Sequence, residues 1–423
     1  MTGVRGRARV GAADVDAAAE RLDGTIVPTP LQHNGRLSRR TGLQVWLKRE
    51  DLQPVRSYKL RGAYNLIFRL SEQDAAAGVV CASAGNHAQG VAFACAALGV
   101  HARIYLPRTT PRQKRARVAS IGGDSVEVVI EGDYFDQSAS ASRAYAERSG
   151  RVLVPPFDHP DVIAGQGTAI RELVGQLGRA PDVLVVPVGG GGLLAGSLAW
   201  LRERHPSVRV VAVEPAGAPS LGAALTAGQP VDIGDVDPFV DGAAVGRIGD
   251  VPFDLIDADP PRVESVPEGL VCVEMLDLYQ EDGIIAEPAG ALASAALSLD
   301  GGLDIEPGST VVCLLSGGNN DVSRYAEVVE RALVHEGRKH YFLVDFPQEP
   351  GALRHFLDDV LGPDDDITLF EYVKRSNRET GPALVGIELG APDDLDALLL
   401  RMEHGPLHIE RLPPGSPVSR FLV

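Results

Sequence analysis

Lysine is scarce in this chain. Of 40 basic residues only five are lysines: Lys48, Lys59, Lys114, Lys339 and Lys374. Arginine stays protonated and cannot serve as a Schiff-base amine, so a lysine-dependent mechanism has few candidates. Cysteine is scarcer still. Cys81, Cys95, Cys272 and Cys313 have neither CxxC nor zinc-ligand spacing, and each lies among apolar neighbours. That argues against a disulfide framework or a cysteine metal centre, and for reduced, structural thiols. No run of about 18 apolar residues occurs, so no helical membrane span is expected. Excess positive charge is also missing. The net charge is −17, with the acids spread along the chain, which argues against nucleic acid or an anionic membrane as a partner. The first 22 residues carry arginines but no apolar stretch after them. They read as the start of a cytoplasmic protein with a short helix, not as a signal peptide. There is no low-complexity tract and no repeat at a solenoid period.

What is present is a long chain of 423 residues, 44% hydrophobic, enough for two or three domains with sizeable cores. Short apolar runs alternate with amphipathic stretches. Strands are predicted at 45–48, 79–82, 102–106, 126–130, 152–154, 183–187, 208–213 and 310–315. Helices are predicted at 87–98, 111–120, 134–148, 162–177 and 193–204. Continuous β-branched runs bounded by helices imply strands buried on both faces, hence an α/β fold with mostly parallel sheets. Near residue 337 the rhythm changes to strand 340–346, helix 351–361, strands 367–374 and 383–389, and helix 393–403. This βαββα order suits a small α+β module, with a domain boundary at about residue 336.

Four segments carry candidate chemistry. The first, Ser57-Tyr58-Lys59-Leu60-Arg61-Gly62-Ala63-Tyr64-Asn65, follows Lys48–Pro54. Pro54 ends the extended part and Ser57 is the expected N-cap. Lys59 then falls in the first helical turn, where a cation opposes the helix dipole and a neutral, nucleophilic amine is favoured. The second, Ser83-Ala84-Gly85-Asn86-His87-Ala88-Gln89-Gly90, follows a strand and opens a helix. Its small residues admit a ligand to the backbone, and the free N–H groups favour a carboxylate. The third, Gly189-Gly190-Gly191-Gly192-Leu193, offers a row of unhindered N–H donors at a helix start, a phosphate cradle by geometry. It lacks the P-loop lysine and the dinucleotide spacing. The fourth, Ser316-Gly317-Gly318-Asn319-Asn320, ends a strand with a hydroxyl suited to a ring nitrogen. Taken singly, each has a plain rival: a surface lysine, an Asn-capped turn, a flexible turn, a strand-to-helix turn. Together they are the parts a pyridoxal-phosphate site needs.

These residues resemble the threonine dehydratases (threonine ammonia-lyases) of the fold-type II pyridoxal-phosphate family. The likeness runs from about Val27 to Ala332. Its blocks are Lys48–Gln53, Ser57–Asn65, Ser83–Ala92, Gly189–Leu193, Glu287–Ala291 and Ser316–Asn319. The resemblance implies a tryptophan synthase β-like fold of two open α/β domains, with a smaller mobile part of about residues 56–154 inside a catalytic region 1–336. It implies pyridoxal 5'-phosphate as cofactor and Lys59 as the Schiff-base lysine and general base. Asn86 is implied to contact the phenolic oxygen, Gly189, Gly190, Gly191, Gly192 and Leu193 to hold the phosphate, and Ser316 to bond the pyridine nitrogen. Ser83, Ala84, Gly85, Asn86 and His87 are implied to bind substrate, with Ser83 also catalytic. Glu287 is implied to lie near the ring. The implied reaction converts L-threonine, and also L-serine, to a 2-oxo acid and ammonia. For threonine the product is 2-oxobutanoate, in the first step of isoleucine biosynthesis.

The tail resembles the ACT-like regulatory domain of the biosynthetic members. The matching stretches are His340–Phe342, Phe346–Leu353, Gly362–Ile367 and Asn377–Pro382. One such module fits in residues 337–423, and isoleucine is the implied inhibitor. A homo-oligomer, tetramer or dimer, is implied as well. Serine racemase-like relatives have a divalent metal site after the strand ending near Glu214. Here Ser220 stands where an acidic ligand is expected, and an acid is the better donor to a hard cation, so no metal site is predicted.

Overall fold

The structure is a computed structural model that describes residues 10–374, 378–413 and 416. Asn377 of the tail motif lies outside the described residues, as do residues 1–9. The chain divides between Asp321 and Val322 into two compact units.

Among the described residues the first unit has ten strands: β1 (Leu31–His33), β2 (Gln44–Arg49), β3 (Val79–Ala82), β4 (Ala102–Leu106), β5 (Val126–Ile130), β6 (Val152–Leu153), β7 (Val183–Pro187), β8 (Arg209–Pro215), β9 (Arg262–Val266) and β10 (Thr310–Leu315). They form a six-stranded sheet in the order β1-β2-β10-β7-β8-β9 and a four-stranded sheet in the order β5-β4-β3-β6. Every pairing is parallel except β1 with β2. The interior strands β7 and β10 are buried at every residue, as helix-covered parallel sheets require. Two strands escape prediction. β1 has three residues and little burial, and β9, Arg-Val-Glu-Ser-Val, alternates charge with valine at an edge. Neither carries the continuous apolar run that marks the others.

The helix Pro160–Leu177 runs between the two sheets' helical layers. Proline at its first turn and Gly178 in the left-handed conformation delimit it. Glycines set its crossings. A Cβ on Gly165 would lie 2.6 Å from the Arg61 carbonyl oxygen, and one on Gly196 2.3 Å from the Ile163 carbonyl oxygen. The helix Lys59–Phe68 and the helix Gly192–Arg204 therefore pack backbone-close on one common helix. Two candidate site segments share that support.

The second unit holds β11 (Lys339–Pro347), β12 (Asp366–Tyr372), β13 (Thr380–Glu388) and β14 (His408–Leu412), all antiparallel in the order β12-β13-β11-β14. Helices Ala352–Val360 and Leu395–His404 cover a core that includes Phe342, Val344, Phe346, Phe356, Val385 and Leu398. β14 extends the predicted βαββα to βαββαβ, the split βαβ arrangement. Its sequence, His-Ile-Glu-Arg-Leu, is mostly exposed and so gave no apolar run. Helix Tyr325–His335 belongs to this unit, where Tyr341 donates to Glu330.

All four cysteines are buried, and none is in a disulfide among the described residues. Burial pushes the Cys95 thiol up to about 12. Among the described residues no helix is long and apolar enough to cross a membrane.

Candidate active site

Lys59 opens the helix Lys59–Phe68, as expected, but the cap is not Ser57. Tyr58 occupies the cap position without a side-chain bond. The residues before Lys59 are instead captured by the end of β10. Ser57 forms an isolated antiparallel bridge with Gly317, Tyr58 N–H donates to Ser316 O at 3.1 Å, and Gly318 N–H donates to Arg56 O at 2.9 Å. Ser57 is thereby held extended. Its hydroxyl is fully buried with no partner among the described residues. This stitching places the Lys59 segment beside the Ser316 loop, although 257 residues separate Lys59 and Ser316 in sequence. Arg56 accommodates it at φ 56°, a left-handed conformation that is costly outside glycine.

The Lys59 ammonium donates to the carbonyl of Pro156 at 3.2 Å and lies 5.1 Å from the Tyr58 ring centroid. The next residue, Phe157, packs on the glycine row. A Cβ on Gly190 would sit 2.2 Å from the Phe157 ring, and one on Gly192 3.0 Å from Phe157 Cβ. The Pro156-Phe157 step thus joins the lysine to the cradle. The remaining glycines are equally confined: a Cβ on Gly189 would lie 2.9 Å from Ala243 Cα, and one on Gly191 2.9 Å from Ile248. Gly191 has φ +87°. Gly192 and Leu193 begin the following helix, whose first N–H groups have no intrahelical partner. Gly191→Ala is expected to combine a strained φ with a clash. It should weaken phosphate binding by about tenfold or more, since residues forced into such backbone regions cost on the order of 1–3 kcal/mol. Equilibrium dialysis with pyridoxal 5'-phosphate checks this, and unchanged affinity removes the cradle assignment.

The 83–90 segment joins β3 to the helix Asn86–Leu98, with Gly85 as N-cap. Ser83 accepts from Gly85 N–H at 3.2 Å through its hydroxyl. The His87 imidazole turns into the protein, its Nε2 2.8 Å from the Val154 carbonyl. Burial pushes it down to about 4, and the nearby Lys59 charge adds to that. The ring is therefore neutral at pH 7. Because a carbonyl only accepts, Nε2 carries the proton. What the start of this helix offers a ligand is main-chain N–H of Ala84, Asn86 and His87, not the imidazole.

Ser316 directly follows β10 of the six-stranded sheet, and its hydroxyl donates to Ala289 O at 3.1 Å. With that bond made, it has acceptor capacity left and no second proton. Glu287 caps the helix Pro288–Ala295, and its carboxyl accepts from Asn86 Nδ2 at 2.6 Å. Burial pushes Glu287 up to about 7. Asp241 adds to the rise, while Asn86 and Lys114 oppose it. Lys114 and Asp241 pair at 3.2 Å across the two sheets' segments. Asn319 donates to Asn86 Oδ1 at 2.6 Å and to Val55 O at 2.8 Å.

The structure thus gathers all four segments, with Ala84, Gly85 and Leu193 in place beside their neighbours. Sequence reasoning missed Pro156, Phe157 and Asp241, which sit in connecting loops without motif chemistry. Asn319 lay inside a recognised segment, but its partner was not legible. Elsewhere, Glu214 accepts main-chain N–H from Leu221 at 2.5 Å and Gly222 at 2.9 Å, and burial pushes it up to about 7. Its carboxyl is taken by capping the helix Ser220–Ala227.

The residues fit pyridoxal 5'-phosphate on three counts: a cradle in which any Cβ meets protein, a lysine whose described hydrogen-bond partner is one carbonyl, and a buried hydroxyl on Ser316. Comparisons with known proteins point the same way. Residues 22–317 match the family described as pyridoxal-phosphate dependent enzyme, and residues 330–422 match the C-terminal regulatory domain of threonine dehydratase. The biosynthetic L-threonine dehydratase of Mycobacterium bovis is 61% identical over 97% of this chain and 96% of its own. That of Corynebacterium glutamicum is 54% identical over 98% and 95%. In structure, the processed threonine deaminase isoform 2 of Solanum lycopersicum superposes with a TM-score of 0.72 at 36% identity, covering 77% of this chain and 95% of that one.

Proposed function

The chain belongs to the pyridoxal-phosphate dependent enzymes and carries the regulatory domain of threonine dehydratases, and from this we propose that it converts L-threonine to 2-oxobutanoate and ammonia. L-serine is a second substrate. One methyl group is worth only about 1–3 kcal/mol of discrimination, so exclusion of serine is not expected. The reaction is the first step of isoleucine biosynthesis in the cytoplasm. The observation that carries this reading is the joining of Lys59 to the glycine row through Pro156 and Phe157.

The cofactor, when bound, supplies an electron sink for the negative charge that develops at Cα. Lys59 would anchor it, and the Lys59 amine, held beside Cα, would remove the α-proton as general base. The lysine suits this role because its amine is held at the Pro156 carbonyl, next to the Phe157 ring that packs on the glycine row. Gly189–Gly192 and Leu193 bind the phosphate through main-chain N–H. Asn86 would donate to the phenolic oxygen and Ser316 would face the ring nitrogen. The N–H groups of Ala84, Asn86 and His87 orient the substrate carboxylate, and the Ser83 hydroxyl lies at the same edge as a proton carrier. Proton return to the leaving β-hydroxyl completes loss of water, and hydrolysis of the released enamine gives ammonia.

Isoleucine binding to the C-terminal unit lowers activity in this reading, and the enzyme works as a homotetramer or dimer. A coupled assay for 2-oxobutanoate from threonine, with and without isoleucine, tests both parts. Product formation reduced by isoleucine is expected. A chain ending at Asp321 should keep turnover and lose the isoleucine response. No product from threonine or serine defeats the catalytic reading, and retained isoleucine sensitivity in the shortened chain defeats the regulatory one.

A further inference from the structure

Asn319, Asn86 and Glu287 form a run of hydrogen bonds whose direction is set at both ends. Val55 O is a main-chain carbonyl and can only accept, so the atom of Asn319 lying 2.8 Å from it is the amide nitrogen. That same nitrogen lies 2.6 Å from Asn86, and the facing atom of Asn86 must therefore be its oxygen. The nitrogen of Asn86 is then turned to Glu287 Oε1 at 2.6 Å, which accepts whether or not the other carboxyl oxygen carries a proton. Amide orientation is ordinarily an inference from such networks; here a carbonyl anchors it. Both N–H bonds of Asn319 are used, and Asn86 keeps one N–H free.

The packing leaves Glu287 little freedom. Its N–H donates to Gly317 O at 3.2 Å. A Cβ on Gly317 would fall 2.1 Å from Glu287 Oε1, and one on Gly290 2.0 Å from Gly317 O. Glycine at both positions is what lets the carboxyl reach Asn86. The three side chains come from the second and fourth segments and from the cap of helix Pro288–Ala295.

Resting on the cofactor site proposed above, we infer that Asn319 and Glu287 are positioning residues that lock the Asn86 amide, so that it presents N–H, not C=O, to an anionic oxygen of the bound cofactor. Without Asn319 the amide of Asn86 can turn over, and its oxygen then faces the same anion.

Three variants of the full chain test this, with affinity for pyridoxal 5'-phosphate, the pH dependence of the visible absorbance of the loaded protein and the melting temperature of the cofactor-free protein as readouts. Asn86→Ala is expected to weaken affinity about tenfold or more, the worth of one hydrogen bond to a charged group. Asn319→Ala should weaken it by a similar factor and shift the absorbance–pH curve at unchanged melting temperature. Asn319→Asp keeps the volume but has no donor, so it should bind the cofactor more weakly than the alanine variant. A space-filling role predicts the reverse order, and that order overturns the inference. Should the aspartate variant not fold, Asn319→Ala decides alone: unchanged affinity with an unchanged curve overturns the inference. If Asn86→Ala itself binds normally, the cofactor site as read is wrong, which is a different result from a failure at Asn319 alone.

Discussion

Lys59→Ala is expected to lose the visible absorbance of the cofactor-loaded protein and to lower threonine turnover by about a thousandfold or more, while leaving the fold intact. The size follows from two roles removed together. General base catalysis by a positioned side chain contributes about 10²–10⁴-fold, and loss of the covalent anchor adds to it. The fold survives because the Nζ contacts are few: a hydrogen bond to Pro156 O and the face of Tyr58. The backbone bonds that hold this segment to β10, from Tyr58 N–H and Gly318 N–H, do not involve the lysine side chain. Absorbance near the ultraviolet–visible boundary, the coupled 2-oxobutanoate assay and circular dichroism together check this. Retained absorbance with retained turnover assigns the chemistry to one of the other four lysines. Lys48 is a poor substitute. It is fully buried, donating to Thr29 O at 2.6 Å and Gln176 at 2.9 Å and paired with Glu172.

Arg61→Met should have the largest effect on stability. Arg61 is 2% exposed and makes two bonds of 2.8 Å to Glu50 and one of 2.9 Å to Glu172. It lies two residues past Lys59, so this cluster is the floor on which the lysine's helix rests. Removing one partner of a buried pair leaves an uncompensated charge and costs about 3–5 kcal/mol. Denaturant unfolding measures it, and a loss under about 1 kcal/mol would mean that Lys48 and Thr29 satisfy Glu50 unaided. The pH dependence carries a second signature. Burial alone would raise Glu50, but the Arg61 guanidinium overrides this and holds it at about 2, below the ordinary 4.5. A depressed carboxyl stabilises the fold above its unfolded value and loses that stabilisation as pH falls from about 4.5 to about 2. In the methionine variant this acid-side loss should shrink, because the folded value moves up toward or past the unfolded one.

The same segment illustrates what could be foreseen. The run Lys48–Pro54 followed by Ser57–Asn65 marked a strand, a break and a helix. The structure has β2 ending at Arg49 and the helix starting at Lys59. The buried strands were legible for a related reason: β7 and β10 have apolar residues on both faces, so the signal is dense. β1, β9 and β14 lie at sheet edges, and few of their residues are fully buried. Ser57 was misread because capping is a local rule. A competing partner, Gly317 at the end of β10, took the backbone that a capped helix start would have left free.

The sequence by itself determined the local devices: a lysine at a helix start, a glycine row between strand and helix, small residues before Asn86, and a hydroxyl at a strand end. These depend on neighbours a few residues apart, whose geometry the peptide chain enforces. Which devices would meet was decided only in three dimensions. The Pro156 carbonyl beside Lys59, Phe157 against Gly190, and the Asn319–Asn86–Glu287 bonds join residues far apart in the chain. Hydrogen-bond partners at that separation depend on sheet order and helix crossing, set by the packing of two cores and a few backbone-close glycines, and no local pattern encodes them.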